Sequence, residues 1–213
     1  MKKIKLILIG AGQLGVLVSN IIKKDRKYEV VGFIDSTKKK GKKINDIKVL
    51  GNDNYLKKLS SKSIQLVICI GDISIRKKII KKLVKRKFIF PTIIDQNSYV
   101  GNKTRIDPGT IICGHTIILN DTKIGKFNII GTGIKILHNV NIKDNCIIGG
   151  GSIIGSNVKI SNNVFIGVGS VIASKKIFIE ENSFICSGSV ILKDVKKNTK
   201  VLGNPARVVP YNY

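Results

Sequence analysis

Acidic side chains are scarce in this chain: its 213 residues hold 13 Asp and Glu against 38 Lys and Arg, a formal net charge of +25. Histidine is scarcer still. With only His115 and His138 present, a catalytic zinc held by three imidazoles cannot be assembled within one chain, and no metal site is expected. The four cysteines, Cys69, Cys113, Cys146 and Cys186, include no C-x-x-C pair and read as ordinary buried thiols of a cytosolic protein. No apolar run reaches the roughly 20 residues of a membrane-spanning helix. The opening MKKIKLILIG imitates a secretion signal, but Gly10, Gly12, Gln13 and Gly15 interrupt its apolar stretch and no A-x-A-like cleavage site follows. A cytoplasmic location is expected.

The excess of positive charge invites a nucleic-acid reading. The lysines, however, are spread along the chain, from Lys38 to Lys40 through Lys81 and Lys82 to Lys196 and Lys197, and aromatic residues seldom interleave with them. No nucleic-acid motif accompanies them, so they read as a solvated surface whose field would draw in polyanionic small molecules. Nucleic acid is not an expected partner.

What the chain has in abundance is isoleucine at a fixed interval. Sixteen positions spaced six residues apart, Val100, Ile106, Ile112, Ile118, Ile124, Ile130, Ile136, Ile142, Ile148, Ile154, Ile160, Ile166, Ile172, Phe178, Phe184 and Val190, carry only Ile, Val or Phe. A period of six fits neither a helix nor a simple strand. It predicts a parallel β-helix in which each hexad forms one side of a triangular coil, three hexads to a turn, with no insertion along the series. Small or β-branched residues at the fifth place of the hexads, such as Thr104, Thr110, Thr122, Val140, Cys146, Ser152 and Ser170, suit the corners.

The periodicity changes near Asn97, which predicts two domains, 1–95 and 96–213. In the first, a strand pattern from Lys3 to Ile9 runs into Gly10-Ala11-Gly12-Gln13-Leu14-Gly15 and then a helical pattern with Leu14, Leu17, Val18, Ile21 and Ile22 on one side. Strand, glycine turn and helix occur in the order a phosphate-binding βα unit requires. A second strand, Tyr28 to Ile34, ends in Asp35, followed by Ser36, where a dinucleotide fold places its ribose-binding acid. Further strands at 47–50 and 65–70 and a helix at 73–86 complete only about half of a dinucleotide sheet, so a mononucleotide or nucleotide sugar fits better than NAD. Gly71 and Asp72 are expected at the same carboxyl edge as Gly10 and Asp35. The expected fold class is therefore a small Rossmann-like α/β domain followed by a β-solenoid.

These residues, from the glycine turn through Asp35 and Ile70-Gly71-Asp72 to the hexads and the closing Gly203-Asn204-Pro205-Ala206-Arg207, resemble the nucleotide-sugar acetyltransferases that include the bacillosamine-pathway N-acetyltransferase and the sialic acid O-acyltransferase. The resemblance implies a left-handed β-helix, a homotrimer, acetyl-CoA lying in the groove between adjacent subunits, and a nucleotide-linked amino sugar held by the first domain at Gly10, Gly12, Gln13, Leu14, Gly15, Asp35, Ser36, Gly71 and Asp72. It implies that His138 is the general base, and that Gly155, Ser156, Gly167, Val168, Ser187 and Gly188 contact the coenzyme, with Pro205 and Arg207 near its phosphates.

An amine attacking a thioester must lose a proton to a base; histidine, with an unperturbed pKa of about 6.5, suits that task. The developing oxyanion needs a donor, for which the resemblance suggests the Ser156 N–H. The chain departs from the family twice. Asn139 stands where an acid often follows the base, and Ile147 stands where a second histidine is common. Asp121, eighteen residues before Asn139, is the expected substitute or supporting orienter, while His115 is read as structural. The expected activity is acetyl-CoA-dependent N-acetylation of a nucleotide-linked sugar, a 4-amino-4,6-dideoxy sugar of a surface glycan. Sialic acid O-acetylation and a non-catalytic trimeric scaffold are the alternatives.

Overall fold

The computed structural model describes residues 3–210, and the chain divides into two compact units with the boundary between Ile93 and Ile94. The first unit contains β1 (Ile4–Ile9), α1 (Gln13–Lys24), β2 (Tyr28–Ile34), β3 (Lys43–Ile44), β4 (Ile47–Gly51), α2 (Asp53–Leu56), β5 (Gln65–Ile68) and α3 (Ile73–Val84). Its sheet has the order β3-β4-β2-β1-β5 and is parallel except for the β3–β4 hairpin. In central β1, Leu6, Ile7, Leu8 and Ile9 are each at most 2% exposed, the continuous apolar run of a strand covered on both faces.

Helix α1 turns Gly15, Val18, Ser19, Ile21 and Ile22 inward. Leu17, expected on the apolar side, is instead exposed. Gly15 is dictated by packing, since a Cβ there would lie 2.2 Å from the Gly10 carbonyl oxygen. The β3–β4 hairpin, absent from the sequence reading, turns through Asn45 and Asp46, both at positive φ, as a two-residue hairpin loop with right-handed twist requires.

The second unit is a left-handed parallel β-helix whose short strands stack on three faces. Face I holds 111–112, 129–130, 147–148, 165–166, 184–185 and 200–203; face II holds 99–100, 117–118, 135–136, 153–154, 171–172 and 190–191; face III holds 105–106, 123–124, 141–142, 159–160 and 178–179. In each complete coil the second residue of the pair points inward, and the inward column from Ile112 to Ile191 is at most 2% exposed. Each buried Ile contributes about 2 kcal/mol.

One expectation fails here. The hexad series does not continue unbroken to Val190. Ile160 pairs with Ile179, Ile166 with Ile185 and Ile172 with Ile191, so one residue is inserted between Ile172 and Ile179. Because side chains alternate between faces, a shift of one exchanges inside for outside. Phe178, Phe184 and Val190 therefore point outward, and Phe178 is 44% exposed, with Lys159 Nζ 5.2 Å from its ring centroid.

The small polar residues at the fifth place have a specific use. The hydroxyls of Thr110, Thr116, Thr122 and Ser152 are buried and donate to the carbonyls of Gly125, Gly131, Leu137 and Gly167. Asn128 occupies the same column; its amide donates to Gly125 O and Lys143 O and accepts the Cys146 N–H. Each of these buried polar groups is thus satisfied by main chain, whereas the Ser189 hydroxyl further along the column is buried without a partner among the described residues.

Candidate active site

In the first unit the carboxyl ends of β1, β2 and β5 form the edge at which parallel sheets bind ligands, and central β1 lies there between β2 and β5. Gly10 has φ +104°, and a Cβ on it would lie 2.5 Å from the Cys69 carbonyl oxygen, so only glycine permits this approach of β1 to β5. Gly12 caps α1 without a side-chain hydrogen bond, and the first turn carries no acid. The start of α1, with Gln13 and Leu14, is thereby suited to an anion.

Asp35 is committed more heavily to the protein than a ribose reader would be. Its Oδ2 accepts the Ala11 N–H at 2.8 Å, and its Oδ1 accepts the Thr37 N–H and hydroxyl at 2.8 Å each and the Lys38 N–H at 3.1 Å. Partial burial pushes the carboxyl up, but these hydrogen bonds outweigh it and hold the group below the usual carboxylate value of 3.8. Asp35 therefore pins the glycine turn to the end of β2, and Oδ2 keeps one lone pair for a ligand. Ser36 beside it and Gly71 are exposed. Asp72 serves as the N-cap of α3, accepting the Ile75 N–H at 2.8 Å.

Sequence reading missed Arg76. It is fully buried, and its Nη1 donates to Ile68 O at 2.9 Å and Ile70 O at 3.2 Å, fixing the carbonyls that end β5. Helical spacing could have revealed it, since Arg76 lies seven residues before buried Leu83 on the inward side of α3.

In the second unit His138 sits at the corner joining faces II and III, stacked between Asn120 and Ser156. The Asn139 N–H donates to Asn120 O and the Asn157 N–H to His138 O, each at 3.2 Å. His138 is exposed, and Asn139 Nδ2 lies 3.2 Å from its Nδ1. The amide's two ends are interchangeable in such a contact. With Oδ1 turned to Nδ1–H, Asn139 fixes the tautomer whose Nε2 is free to take a proton. Asp121 is exposed at the same corner, one coil below Asn139, with φ 60°. No hydrogen bond joins it to His138 among the described residues. His115 lies at a different corner, between faces I and II, with φ 59°.

The residues expected around the coenzyme separate in the same way. Gly155 and Ser156 share the His138 corner, whereas Gly167, Val168, Ser187 and Gly188 lie at the corner between faces I and II. Within one chain these corners are a full side of the prism apart. Gly155 and Gly167 are required by the coil itself, because a Cβ would lie 2.4 Å from Ser174 N or 2.3 Å from Ser187 N. Val168, 61% exposed, presents an apolar surface. Pro205 lies between the antiparallel strands 200–203 and 206–209, and Arg207 on the second of them is exposed, while Lys196 is paired with Glu180 at 3.1 Å at a different corner. An apolar corner and an exposed guanidinium on the strands that close face I suit a pantetheine arm and its phosphates.

Among the described residues no group of three or more His, Cys, Asp or Glu is placed to hold a metal, and no helix is long and apolar enough to cross a membrane. Residues 5–83 match the family described as the PglD N-terminal domain. Comparison with curated protein sequences gives no match. Among solved structures the chain is similar to the acetyltransferase domain of PglB from Neisseria gonorrhoeae FA1090 in complex with acetyl coenzyme A, with TM-score 0.91 and 23% identity over 98% of this chain and 100% of that one. PerB from Caulobacter crescentus, in complex with CoA and GDP-perosamine, gives TM-score 0.89 and 23% identity over 97% of each chain. WeeI from Acinetobacter baumannii AYE gives TM-score 0.83 and 25% identity over 96% of this chain and 99% of that one.

Proposed function

We propose that this chain is an acetyl-CoA-dependent N-acetyltransferase that acylates the amino group of a nucleotide-linked sugar, with His138 as general base. The observation that carries the proposal is the exposed imidazole of His138, held through Nδ1 by Asn139 and one coil below Ser156. The complexes of similar folds with acetyl coenzyme A and with CoA and GDP-perosamine support the substrate classes.

The sugar amine attacks the thioester carbonyl carbon as Nε2 of His138 takes the amine proton, forming the C–N bond and an oxyanion. The Ser156 N–H, about 4.8 Å along the axis from the imidazole by coil spacing, is the oxyanion donor. Collapse breaks the C–S bond, and the imidazolium returns the proton to the departing thiolate. Gly10, Gly12, Gln13, Leu14 and Gly15 receive the diphosphate at the start of α1, with Asp35, Ser36, Gly71 and Asp72 around the rest of the nucleotide sugar. Val168 and Ser187, with Gly155, Gly167 and Gly188 shaping the backbone, flank the pantetheine arm; Pro205 and Arg207 lie toward its phosphates.

This assignment needs two copies, because its coenzyme residues occupy two corners of the prism. The outward side chains favour that assembly. Face I presents the stacked rings of Phe165 and Phe184, its Ile111, Ile129 and Ile147 being already buried within one chain; face II presents Tyr99, Ile117, Lys135, Ile153, Val171 and Val190, and face III presents Arg105, Lys123, Asn141, Lys159 and Phe178. The mostly apolar face II and the Phe165–Phe184 pair meet at one corner and suit a closed homotrimer, which buries both in every copy. The enzyme acts in the cytoplasm on a 4-amino-4,6-dideoxy sugar destined for a surface glycan.

The test offers acetyl-CoA with UDP-, dTDP- and GDP-linked 4-amino sugars, and separately with sialic acid, and measures thiol release and acetylated product. Transfer to an amino sugar is expected. Transfer only to sialic acid, or coenzyme binding without transfer to any acceptor, refutes N-acetylation.

A further inference from the structure

The corner that holds His138 contains a polar contact that the chemistry above leaves unexplained. The Ser156 N–H donates to Ser174 Oγ at 3.1 Å, so the donor assigned to the oxyanion is already engaged. Lower at this corner, successive coils are joined through the backbone, from Asn139 N–H to Asn120 O and from Asn157 N–H to His138 O. At Ser174 the extra residue of the solenoid redirects the chain into two tight turns, with Lys175 N–H on Ala173 O at 2.9 Å and Ile177 N–H on Lys175 O at 2.8 Å. Ser174 itself stands eighteen residues after Ser156, in the regular register, and its side-chain hydroxyl meets the coil below just before the chain bulges. Ser156 is buried and Ser174 exposed.

We propose that Ser174 is a positioning residue that holds the Ser156 N–H in the resting enzyme and yields it to the thioester carbonyl when acetyl-CoA binds; this rests on the acetyltransfer reading. Distance separates the two roles. Ser174 lies two coils from His138, about 9.6 Å along the axis, and Ser156 one coil, about 4.8 Å. The oxyanion is joined through one carbon to the nitrogen whose proton His138 takes, which places it by the nearer coil. A hydroxyl can withdraw by rotating χ1, which a ladder carbonyl fixed in the coil cannot do. The arrangement keeps a donor on a buried residue satisfied until substrate arrives. Its cost is that the carbonyl must displace an existing partner.

The experiment compares wild type, Ser174→Ala and Ser174→Thr by initial-rate kinetics and by hydrogen exchange of the Ser156 amide. Removing the competing acceptor is expected to raise kcat/KM for acetyl-CoA about two- to tenfold, the range of one net hydrogen bond. Ser156 exchange should quicken in free Ser174→Ala and slow again with acetyl-CoA but not with CoA, which lacks the carbonyl. Ser174→Thr, which keeps the hydroxyl, should restore slow exchange in the free enzyme. A purely structural Ser174 would lower activity when removed. An unchanged or reduced kcat/KM in Ser174→Ala, or equal protection by CoA and acetyl-CoA in that variant, overturns the proposal. If wild type transfers no acetyl group, the functional reading itself fails, and the acetyl-CoA-specific protection still decides whether Ser174 yields the donor to a carbonyl.

Discussion

Replacing Ile179 with Ala tests the displaced register directly, because a strict six-residue repeat puts Phe178 inside and Ile179 outside. In the structure Ile179 is fully buried, pairs with Ile160 and bridges to Val195. Truncating a side chain of this size in a closed core costs about 2–5 kcal/mol through lost burial and the cavity left behind. Phe178→Ala removes an outward ring whose main specific contact is the Lys159 ammonium, worth about 0.5–1 kcal/mol at an exposed site. The chain has no tryptophan, so unfolding in urea is followed by far-ultraviolet circular dichroism. With a urea dependence of about 1–3 kcal/mol per molar, the Ile179 variant should lose at least about 0.7 M in midpoint and the Phe178 variant clearly less. A Phe178→Ala loss equal to or greater than that of Ile179→Ala refutes the inserted residue.

Three further outcomes are expected. His138→Ala should reduce acetyl transfer by about 10² to 10⁴, the range of general acid–base catalysis, whereas Asp121→Asn should leave turnover and its pH profile unchanged if Asn139 alone orients the ring. Because Asp35 is held below 3.8 in the folded chain, its stabilising contribution is complete above that value and disappears as pH falls through the lower folded value. Thermal unfolding below pH 4 should therefore be less pH-dependent in Asp35→Asn. Burial, with the nearby Asp95 charge, pushes the Cys113 thiol up to about 11, so its contribution is present below about 9 and lost as pH rises toward 11. Iodoacetamide at pH 8, read by peptide mass spectrometry, should label half-buried Cys186 before buried Cys69, Cys113 and Cys146.

The solenoid was legible because its interior admits one large apolar side chain per hexad, and Ile112 to Ile172 obey that without exception. The displacement beyond Ile172 was concealed by neighbouring apolar pairs. Phe178-Ile179, Phe184-Ile185 and Val190-Ile191 satisfy either register, so the large-residue column alone could not choose between them. The small-residue column could. A strict repeat carries Lys176 into the interior place held by Val158 one coil earlier, an unpaired buried charge, while the observed register supplies Ile177, Ser183 and Ser189.

In the first unit, strand–glycine–helix order predicted β1, its glycine turn and α1 as the structure has them, yet it could not reveal how Asp35 is used. That depends on where the Ala11, Thr37 and Lys38 N–H groups come to lie after folding. The two-residue β3 and the turn through Asn45 and Asp46 offered too short a pattern for periodicity to register.

The extra residue near Ser174 also limits how such a chain can change length. Losing or gaining a whole turn elsewhere in the solenoid means eighteen residues, but a cut spanning this loop must remove nineteen to rejoin the columns in phase. A step of six or twelve keeps the isoleucines inward but moves every later side to another face, and a step that breaks the six-residue repeat turns a line of isoleucines toward water. The reach between His138 and the closing hairpin can therefore change, with every face kept in place, only in increments of one rung. A solitary added amino acid survives where it can bulge from a corner, and here that bulge stands immediately above the chemistry.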